Sequence, residues 1–380
     1  MDALALAEEL GAQLGGMKGA GPKLMEFLSM IRLEPPAPRS GGAPTVRFDR
    51  VRRVVEQDLD DRIGRLFDDF DEEPFAVSSL GQVHRARTAD GEPVAVKVQH
   101  PGAAEAVEAD LRSLGLLAPL LKRLAPGLDA SAVLAEIRER ISDELDYELE
   151  AQHQRRLARL LRDPPDVRVP RVHTGLSARR VLVSEYVGGL SGEEIGRLGD
   201  AERDRAGEIA FRVFLDLAWR EGVVAGDPHT DNCVLCPDGR LCLLDFGLLR
   251  DLDAGYLEGE RDVMRALAGG DAPGLHAGLE RLGYLPDPGA VDRDALLEHL
   301  APAGEWLLAP GFRRIDAAYS GHVLEVGYPP RSPLFPVMRR MAVPPPTLLL
   351  RRMEVQLLSL LGELRAGADW GAIHAEHVFR

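Results

Sequence analysis

Three oxygen-bearing side chains, Asp227, Asn232 and Asp245, stand in the chain at spacings that suit phosphoryl transfer. Phosphoryl transfer needs a carboxylate near the acceptor and oxygen ligands for a metal ion that bridges the phosphates, but little covalent help from the protein. Asn232 follows Asp227 by five positions, and Asp245-Phe-Gly begins thirteen positions after Asn232. We therefore predict that the three side chains form one magnesium and phosphoryl-transfer site.

A short hairpin must hold the two loops together. The runs Cys233–Cys236 and Arg240–Leu244 have the apolar content of buried strands, and Pro237-Asp238-Gly239 between them is typical turn sequence. The order of loop, strand and Asp-Phe-Gly matches that of kinase-like folds. A buried strand that ends by chance in Asp-Phe-Gly would explain the tripeptide, but it would not explain two loops in this order.

An upstream hairpin carries a lysine that could meet the phosphates. Two runs of alternating or β-branched residues flank the turn Ala89-Asp90-Gly91, and the second ends in Val94-Ala-Val-Lys97. This ending resembles the strand that carries the phosphate-pairing lysine of kinases. Because Lys97 has apolar neighbours on both sides, its ammonium needs a carboxylate or a phosphate as partner. An exposed lysine on an edge strand is the alternative.

A strongly acidic helix could supply that partner. Apolar residues at helical spacing predict one helix from Asp129 or Ser131, either of which is a suitable N-cap, to about Asp163. The segment Asp143–Glu150 holds five acids in eight positions. Such a run is usually a solvated helix face, but here it also offers a carboxylate for Lys97.

Composition bounds the class of protein. The 380 residues allow about two or three domain-sized units, and a hydrophobic share of 45% fits a soluble globular chain. The formal net charge of −15 argues against a general nucleic-acid binder, since affinity for duplexes comes mainly from neutralised phosphates. The N-terminus lacks the pattern of a signal peptide, and no run of about 18 apolar residues occurs. We therefore expect a cytoplasmic protein.

The three cysteines, Cys233, Cys236 and Cys242, all fall in the predicted hairpin. The first two form a C-x-x-C pair, which could indicate zinc or redox chemistry. A fourth cysteine ligand is missing, and the pair lies on a predicted strand. We therefore interpret all three as buried, reduced thiols.

Four separate segments together resemble one family. Lys97, the acidic segment Glu144-Leu-Asp146-Tyr-Glu-Leu-Glu150, the loop Asp227-Pro-His-Thr-Asp-Asn232 and Asp245-Phe-Gly247 follow the order seen in the UbiB (AarF) family of atypical protein-kinase-like proteins. The resemblance implies a two-lobed protein-kinase-like fold of the α/β (α+β) class. It further implies an N-terminal helical extension and a helical C-terminal lobe.

The chain divides into three predicted parts. Residues 1–55 would form the helical extension over the nucleotide site, residues 56–187 a kinase-like N-lobe and residues 188–380 a kinase-like C-lobe. Gly188-Gly189 follows a hinge-like strand over Arg180–Tyr186, and this glycine pair marks the expected passage into the second lobe.

The resemblance implies ATP and Mg²⁺ as cofactors and a role for each site residue. Lys97 would orient the phosphates, and Glu144 would pair with Lys97. Asp227 would act as the catalytic acid/base, while Asn232 and Asp245 would hold the metal ion. The residues expected to contact the nucleotide are Lys97, Glu185 of the hinge-like strand, Ala76, Ser78 and Ser79 of an alanine-rich loop, and Lys23 of the extension.

Two of the family's motifs are altered. The extension reads Lys23-Leu-Met25-Glu26 where the family has Lys-x-Gly-Gln, and the alanine-rich loop, Ala76-Val-Ser-Ser79, keeps one alanine and the terminal serine. A carboxylate at Glu26 would repel the phosphates unless a cation pairs with it. A nucleotide-binding pseudokinase that acts as a scaffold is therefore one alternative to an enzyme.

The substrate is expected to be a small molecule or a lipid. After Asp245 the chain passes almost directly into Leu-rich helical sequence, with no Ala-Pro-Glu and no long activation segment on which a peptide could lie. The resemblance implies an ATPase or small-molecule kinase that supports the biosynthesis of isoprenoid quinones or related lipids. A phosphotransferase of the aminoglycoside or choline kinase type is the enzymatic alternative.

Residues 331–365 are rich in arginine. Six arginines stand among leucines and methionines, against the two acids Glu354 and Glu363. A cationic amphipathic face of this kind could make peripheral contact with an anionic membrane. The alternative is a core-facing helix pair with arginines at its rim. No feature of the sequence indicates an oligomeric state.

Overall fold

An antiparallel sheet forms the N-terminal lobe. The computed structural model describes residues 45–162, 165–327 and 335–379. The strands of the sheet are β1 (Phe67–Phe70), β2 (Ala76–Val77), β3 (Gly81–Thr88), β4 (Pro93–Gln99) and β6 (Val181–Glu185), and β5 (Val167–Arg168) belongs to a second sheet. The strand order is β1-β3-β4-β6, and β2 pairs with the free half of β3.

The predicted upstream hairpin is confirmed as β3 and β4. Gly91 takes a left-handed φ of 81° in the turn, which glycine adopts without steric cost. Val94, Val96 and Val98 are buried on one face of the sheet. Because side chains alternate along a strand, Lys97 lies on the opposite face.

Helix α1 (Phe48–Asp58) covers the valine face. Its Val51, Val54 and Val55 share one apolar cluster with the sheet, so this helix packs as part of the N-lobe although it crosses the predicted boundary after residue 55. The helix ends at Asp58, Asp60 adopts a left-handed φ of 52°, and only one turn, α2 (Ile63–Leu66), follows.

The long acidic helix predicted from residue 129 to about residue 163 is in fact two helices. They are α5 (Ala130–Asp143) and α6 (Tyr147–Leu160). Asp129 is the N-cap of α5, and its side chain accepts a hydrogen bond from the amide of Ala132. Asp146 caps α6 in the same way, accepting from Glu148 N and Leu149 N. A second N-cap inside the run ends one helix and starts another.

The C-terminal lobe is mainly helical. Its small sheets hold the two loops of the predicted site. The predicted hairpin is confirmed as β9 (Cys233–Leu235) and β10 (Leu241–Leu243), with Gly239 at its turn. The helices of this lobe are α7 (Gly192–Ile195), α8 (Asp200–Trp219), α9 (Ala254–Ala268), α10 (Ala272–Arg281), α11 (Arg293–Leu308), α12 (Ala317–Gly327), α13 (Phe335–Met338), α14 (Leu348–Leu364) and α15 (Trp370–Val378), while α3 (Ala103–Ser113) and α4 (Ala118–Leu124) come before α5 in the chain. The remaining strands are β7 (Leu190–Ser191), β8 (Val223–Ala225), β11 (Leu249–Asp251), β12 (Arg313–Arg314) and β13 (Gly367–Ala368).

Helices α8 and α14 form the centre of this lobe. The aromatic ring of Phe211 on α8 packs edge-on against Trp370, with ring centroids 5.1 Å apart. Strand β10 pairs with β9 and also, in parallel, with β5, so the site hairpin is fixed on both sides.

The arginine-rich segment contains a core helix. Eleven residues of α14 are buried, including Leu349, Arg352 and Leu361. For residues 348–364 the structure therefore supports the core-facing alternative, and peripheral contact with anionic membranes remains a prediction. Within the described ranges, no helix combines the length and the apolar character needed to cross a bilayer.

The two candidate N-caps of α5 allow a direct test of the helix boundary. Asp129→Ala removes the acceptor for the Ala132 amide, so we expect the free energy of unfolding to fall by about 1 kcal/mol. Ser131→Ala is the matched control, since Ser131 lies inside the helix, and it should change stability much less. Chemical denaturation of both variants measures this difference, and equal losses would contradict the assignment of Asp129 as the cap.

Candidate active site

Lys97 and Glu150 form an ion pair under the N-lobe sheet. Lys97 Nζ donates to both carboxylate oxygens of Glu150, at 2.7 and 2.9 Å. The Glu150 side chain is only 2% exposed and that of Lys97 25%. Burial by itself would lower the pKa of Lys97, but the negative charges of Glu150 and Asp245 outweigh it and raise this pKa above its ordinary value. Lys97 is therefore a fixed cation at neutral pH.

The prediction that Glu144 pairs with Lys97 is wrong. The carboxylate that meets the ammonium belongs to Glu150, six positions further along the chain. Glu144 lies in the break between α5 and α6, beside the Asp-Phe-Gly segment, where a Cβ placed on Gly247 would be 3.8 Å from Glu144 Cγ. Because Asp146 starts a new helix, the acidic residues after the break point in other directions than they would on one continuous helix. Glu150 then faces the sheet.

Tyr147 completes the surroundings of Lys97. Lys97 Nζ lies 5.0 Å from the centroid of the Tyr147 ring, a cation–π distance. A Cβ on Gly81 would come within 2.6 Å of both Tyr147 Oη and Val98 O, so glycine is required at this close approach. Burial raises the pKa of Tyr147, which remains a neutral phenol.

The loop after β8 brings Asp227 and Asn232 together. Asn232 Nδ2 donates to Asp227 Oδ2 and to Asp227 O, each at 3.2 Å. The backbone carbonyl of Asn232 accepts from Leu244 N at 2.9 Å, which joins this loop to the end of the hairpin. The amide nitrogen of Asn232 is thus engaged, and its carbonyl oxygen Oδ1 is the atom left for a cation.

Asp245 connects the two lobes. Its Oδ1 accepts from Gly247 N at 3.0 Å, and its Oδ2 lies 3.8 Å from Lys97 Nζ. Phe246 is buried, and its carbonyl oxygen lies 3.0 Å from Nδ1 of His153 on α6. Burial lowers the pKa of His153, so the ring is neutral at pH 7 and Nδ1 carries the proton that it donates to this carbonyl. Helix α6 therefore holds the Asp-Phe-Gly segment in place.

The three predicted side chains meet at one small cavity. Asp227, Asn232 and Asp245 all line it. Their donor atoms are carboxylate and amide oxygens, which Mg²⁺ prefers, and Mg²⁺ usually binds through one or two protein carboxylates plus substrate phosphates. Within the part of the chain that the structure describes, no group of three or more His, Cys, Asp or Glu could hold a metal alone. The residues present fit a magnesium ion that phosphates help to bind.

The other residues predicted to contact the nucleotide lie at two different places in the N-lobe. Ala76, Ser78 and Ser79 are exposed at the end of β2, and Ser78 Oγ donates within the turn to Gly81 O at 3.1 Å. The carboxylate of Glu185 accepts a hydrogen bond from Arg168 Nη2 at 2.6 Å, so this side chain forms an ion pair where the two sheets meet. Nucleotide contact by these residues remains a prediction.

Lys23 and the rest of its altered motif lie outside the described residues. The assignment of Lys23 to the nucleotide site therefore also remains a prediction, as does the effect of the carboxylate at Glu26.

The cysteines are buried and unpaired with one another, as predicted. Burial raises the pKa of Cys233, Cys236 and Cys242, so all three are protonated thiols at neutral pH. They pack in the hairpin between the two loops of the site.

Some site residues were missed by sequence reasoning. Glu150 was recognised as one acid of a cluster but not as the partner of Lys97. Tyr147 and Glu150 are spaced i, i+3 after a good N-cap, which could have indicated one helix face. Arg352 and Gln356, which both donate to Asp227 Oδ1, carry no comparable local signal.

Comparison with known proteins shows both the family and the fold of this chain. Residues 40–276 match the family described as the ABC1 atypical kinase-like domain. The solved structure of Rv3197 from Mycobacterium tuberculosis, in complex with erythromycin, is similar with a TM-score of 0.70 and 27% sequence identity, covering 99% of this chain and 90% of that chain. The predictions of a kinase-like fold and of the UbiB (AarF) family are confirmed.

Two curated relatives show how much of a longer protein is shared. AarF domain-containing protein kinase 1 of Xenopus laevis is 28% identical over 248 residues, which are 63% of this chain and 48% of that protein. The mitochondrial atypical kinase COQ8B of Danio rerio is 32% identical over 227 residues, 58% of this chain and 36% of that protein. The chain thus spans about half, or less, of the length of these relatives.

The Lys97–Glu150 pair predicts a pH dependence of nucleotide binding. In the native protein the raised pKa keeps Lys97 charged, so affinity for ATP should change little from about pH 7 to about pH 10. In Glu150→Gln the largest contribution that raises the pKa of Lys97 is lost, and Asp245 remains as the nearby carboxylate. The ammonium therefore loses its proton at lower pH, and affinity for ATP should fall as pH rises through this range. Calorimetric titration of ATP at several pH values measures the change.

Glu144→Gln is the matched control for this experiment. It removes a carboxylate from the same acidic segment without touching the ion pair, so its affinity should keep the pH dependence of the native protein. If Glu144→Gln instead loses affinity at alkaline pH and Glu150→Gln does not, the corrected pairing is itself mistaken.

Proposed function

This chain belongs to the ABC1 atypical kinase-like family, also called UbiB or AarF, and we propose that it binds ATP with Mg²⁺ and acts as an ATPase or small-molecule kinase. One observation carries the proposal. Lys97, held by Glu150, lies 3.8 Å from Asp245, and Asp245 shares a cavity with Asp227 and Asn232. A phosphate-orienting cation, a metal-binding carboxylate and an acceptor-side carboxylate are thus brought together.

Each residue has a defined part in the proposed reaction. Lys97, charged and fixed, would orient phosphate oxygens. Asn232 Oδ1 and the Asp245 carboxylate would hold Mg²⁺, which when bound neutralises charge that develops on the phosphates. Asp227 would accept a hydrogen bond from the hydroxyl or water that attacks. Catalysis would come mainly from positioning and electrostatics, as is usual for phosphoryl transfer.

The path of the chain after the site supports a substrate that is not a protein. Asp245-Phe-Gly247 is followed by the three-residue strand β11 and then by helix α9, which begins at Ala254. This leaves no segment in which an extended peptide platform could form. We infer that the phosphoryl acceptor is water, a small molecule or a lipid. We also infer that the reaction supports the biosynthesis of isoprenoid quinones or related lipids.

An apolar cavity in the C-lobe supports the lipid part of the proposal. It has a volume of about 200 Å³ and lies against helix α14, whose Val355 and Leu358 line it. The related protein Rv3197 was solved with erythromycin, and we propose that this chain likewise binds a largely apolar ligand. The cavity wall is mainly aliphatic and aromatic, with examples in Val263, Leu267, Leu300, Ala303, Trp306 and Leu358.

A short isoprenoid alcohol such as geraniol would test the apolar cavity. Ligand that binds only the folded state raises the unfolding temperature, so geraniol should stabilise the native protein. Ala303→Phe fills the cavity and should abolish this increase, whereas Ala201→Phe, at an exposed site on α8, should not. Equal stabilisation of both variants would show that geraniol binds elsewhere.

ATP hydrolysis with and without Mg²⁺ tests the main proposal. We expect turnover in Mg²⁺ that is lost in chelator. We also expect a large loss in Lys97→Met, which removes the cation that would orient the phosphates, and in Asp245→Asn, which removes the negative charge that would hold the metal ion. Asp90→Asn, which removes an exposed carboxylate from the β3–β4 turn, is the control and should keep full activity. Mg²⁺-dependent ATP binding without turnover would favour the pseudokinase alternative.

A further inference from the structure

Helix α14 lies directly on the catalytic loop. A Cβ on Gly226 would lie 2.3 Å from Leu349 Cδ1, so only glycine allows this approach of helix and loop. Farther along, Thr230 Oγ1 donates a hydrogen bond to the carboxylate of Glu363. Between these two contacts the helix reaches Asp227 itself.

Two side chains of α14 occupy one oxygen of Asp227. Arg352 Nη2 donates to Asp227 Oδ1 at 2.6 Å, and Gln356 Nε2 donates to the same oxygen at 3.2 Å. Arg352 Nε also donates to the backbone carbonyl of Gly226 at 2.9 Å. Arg352 thus holds both the backbone and the side chain of the loop, and its own side chain is only 2% exposed.

The second oxygen of Asp227 faces the catalytic loop itself. Oδ2 accepts from Asn232 Nδ2 at 3.2 Å. Asp227 and Asn232 line the same cavity as Asp245. The donors from α14 therefore fix the rotation of the carboxylate, with Oδ1 toward α14 and Oδ2 toward the predicted metal ligand Asn232.

We propose that Arg352 and Gln356 are positioning residues for Asp227, which hold its carboxylate in the orientation needed to accept a hydrogen bond from the phosphoryl acceptor. This inference rests on the proposed function and extends it beyond the family domain. The family match ends at residue 276 and α14 begins at Leu348, so the proposal adds a helix outside the matched residues to the catalytic apparatus.

Arg352→Met removes the charge and the hydrogen bonds to Asp227 Oδ1 and Gly226 O, while keeping an unbranched side chain. Loss of a supporting residue typically costs roughly 10- to 100-fold, and we expect kcat for ATP hydrolysis to fall within this range. Because Arg352 lies on the acceptor side and not on the phosphates, KM and the calorimetric Kd for Mg·ATP should stay within about twofold. Arg352→Lys should recover part of kcat, since it restores a cation.

A double-mutant cycle shows whether Arg352 acts through Asp227. If it does, Arg352→Met should cost kcat little further in an Asp227→Asn background, where the carboxylate is already absent. Arg351→Met is the matched control. It removes the neighbouring arginine, which pairs with Glu260 and Glu354, and should lower the unfolding temperature without a comparable loss of kcat.

Several outcomes would overturn the proposal. The first is that the losses in kcat of Arg352→Met and Asp227→Asn multiply in the double variant. The second is that kcat falls as far in Arg351→Met as in Arg352→Met. The third is that weaker binding of Mg·ATP accounts for the whole loss of activity in Arg352→Met. If Arg352→Met does not fold, Gln356→Leu removes one donor without exposing a buried charge, and native kcat in both Gln356→Leu and Arg352→Lys would also overturn it. If the native protein itself does not hydrolyse ATP, the proposed function is wrong, which is a different result from the loss of the positioning role.

Discussion

The buried ion pair between Lys97 and Glu150 is the interaction on which the site depends. Moving an ammonium and a carboxylate out of water is costly, and only close, well-directed contact offsets this cost. Strand β4 and helix α6 must therefore meet at one register, which the N-cap Asp146 sets for the helix. The same helix carries His153 to the carbonyl of Phe246, so one element connects the N-lobe cation to the Asp-Phe-Gly segment.

The second loop of the site is held from the opposite direction. Helix α14 follows the two loops by about a hundred residues, yet it packs on Gly226 and carries the buried cation that faces Asp227. A buried arginine without its carboxylate would be strongly destabilising, so the helix and the loop are bound to one another by charge as well as by apolar contact. Loss of the C-terminal helices would therefore affect the catalytic loop directly.

The misassignment of Glu144 shows where sequence reasoning failed and why. A continuous helix from residue 129 implies a fixed phase for every acid in the run, and within that phase no local rule selects the partner of a distant lysine. The break before Tyr147 changes the directions in which the later acidic side chains point. The acids of the new helix then differ in how deeply they are buried. Glu150 is 2% exposed and meets Lys97, whereas Glu148 on the adjacent face is exposed.

The sequence by itself determined the features that depend on near neighbours. These are the hairpins with Gly91 and Gly239 at their turns, the Asn232 and Asp227 pair five positions apart, and the order of motifs that indicates the family. Only the tertiary structure decided which charges meet. Arg352 stands 125 positions from Asp227, and their contact exists because α14 packs across the lobe, a consequence of the whole apolar core and not of any local pattern.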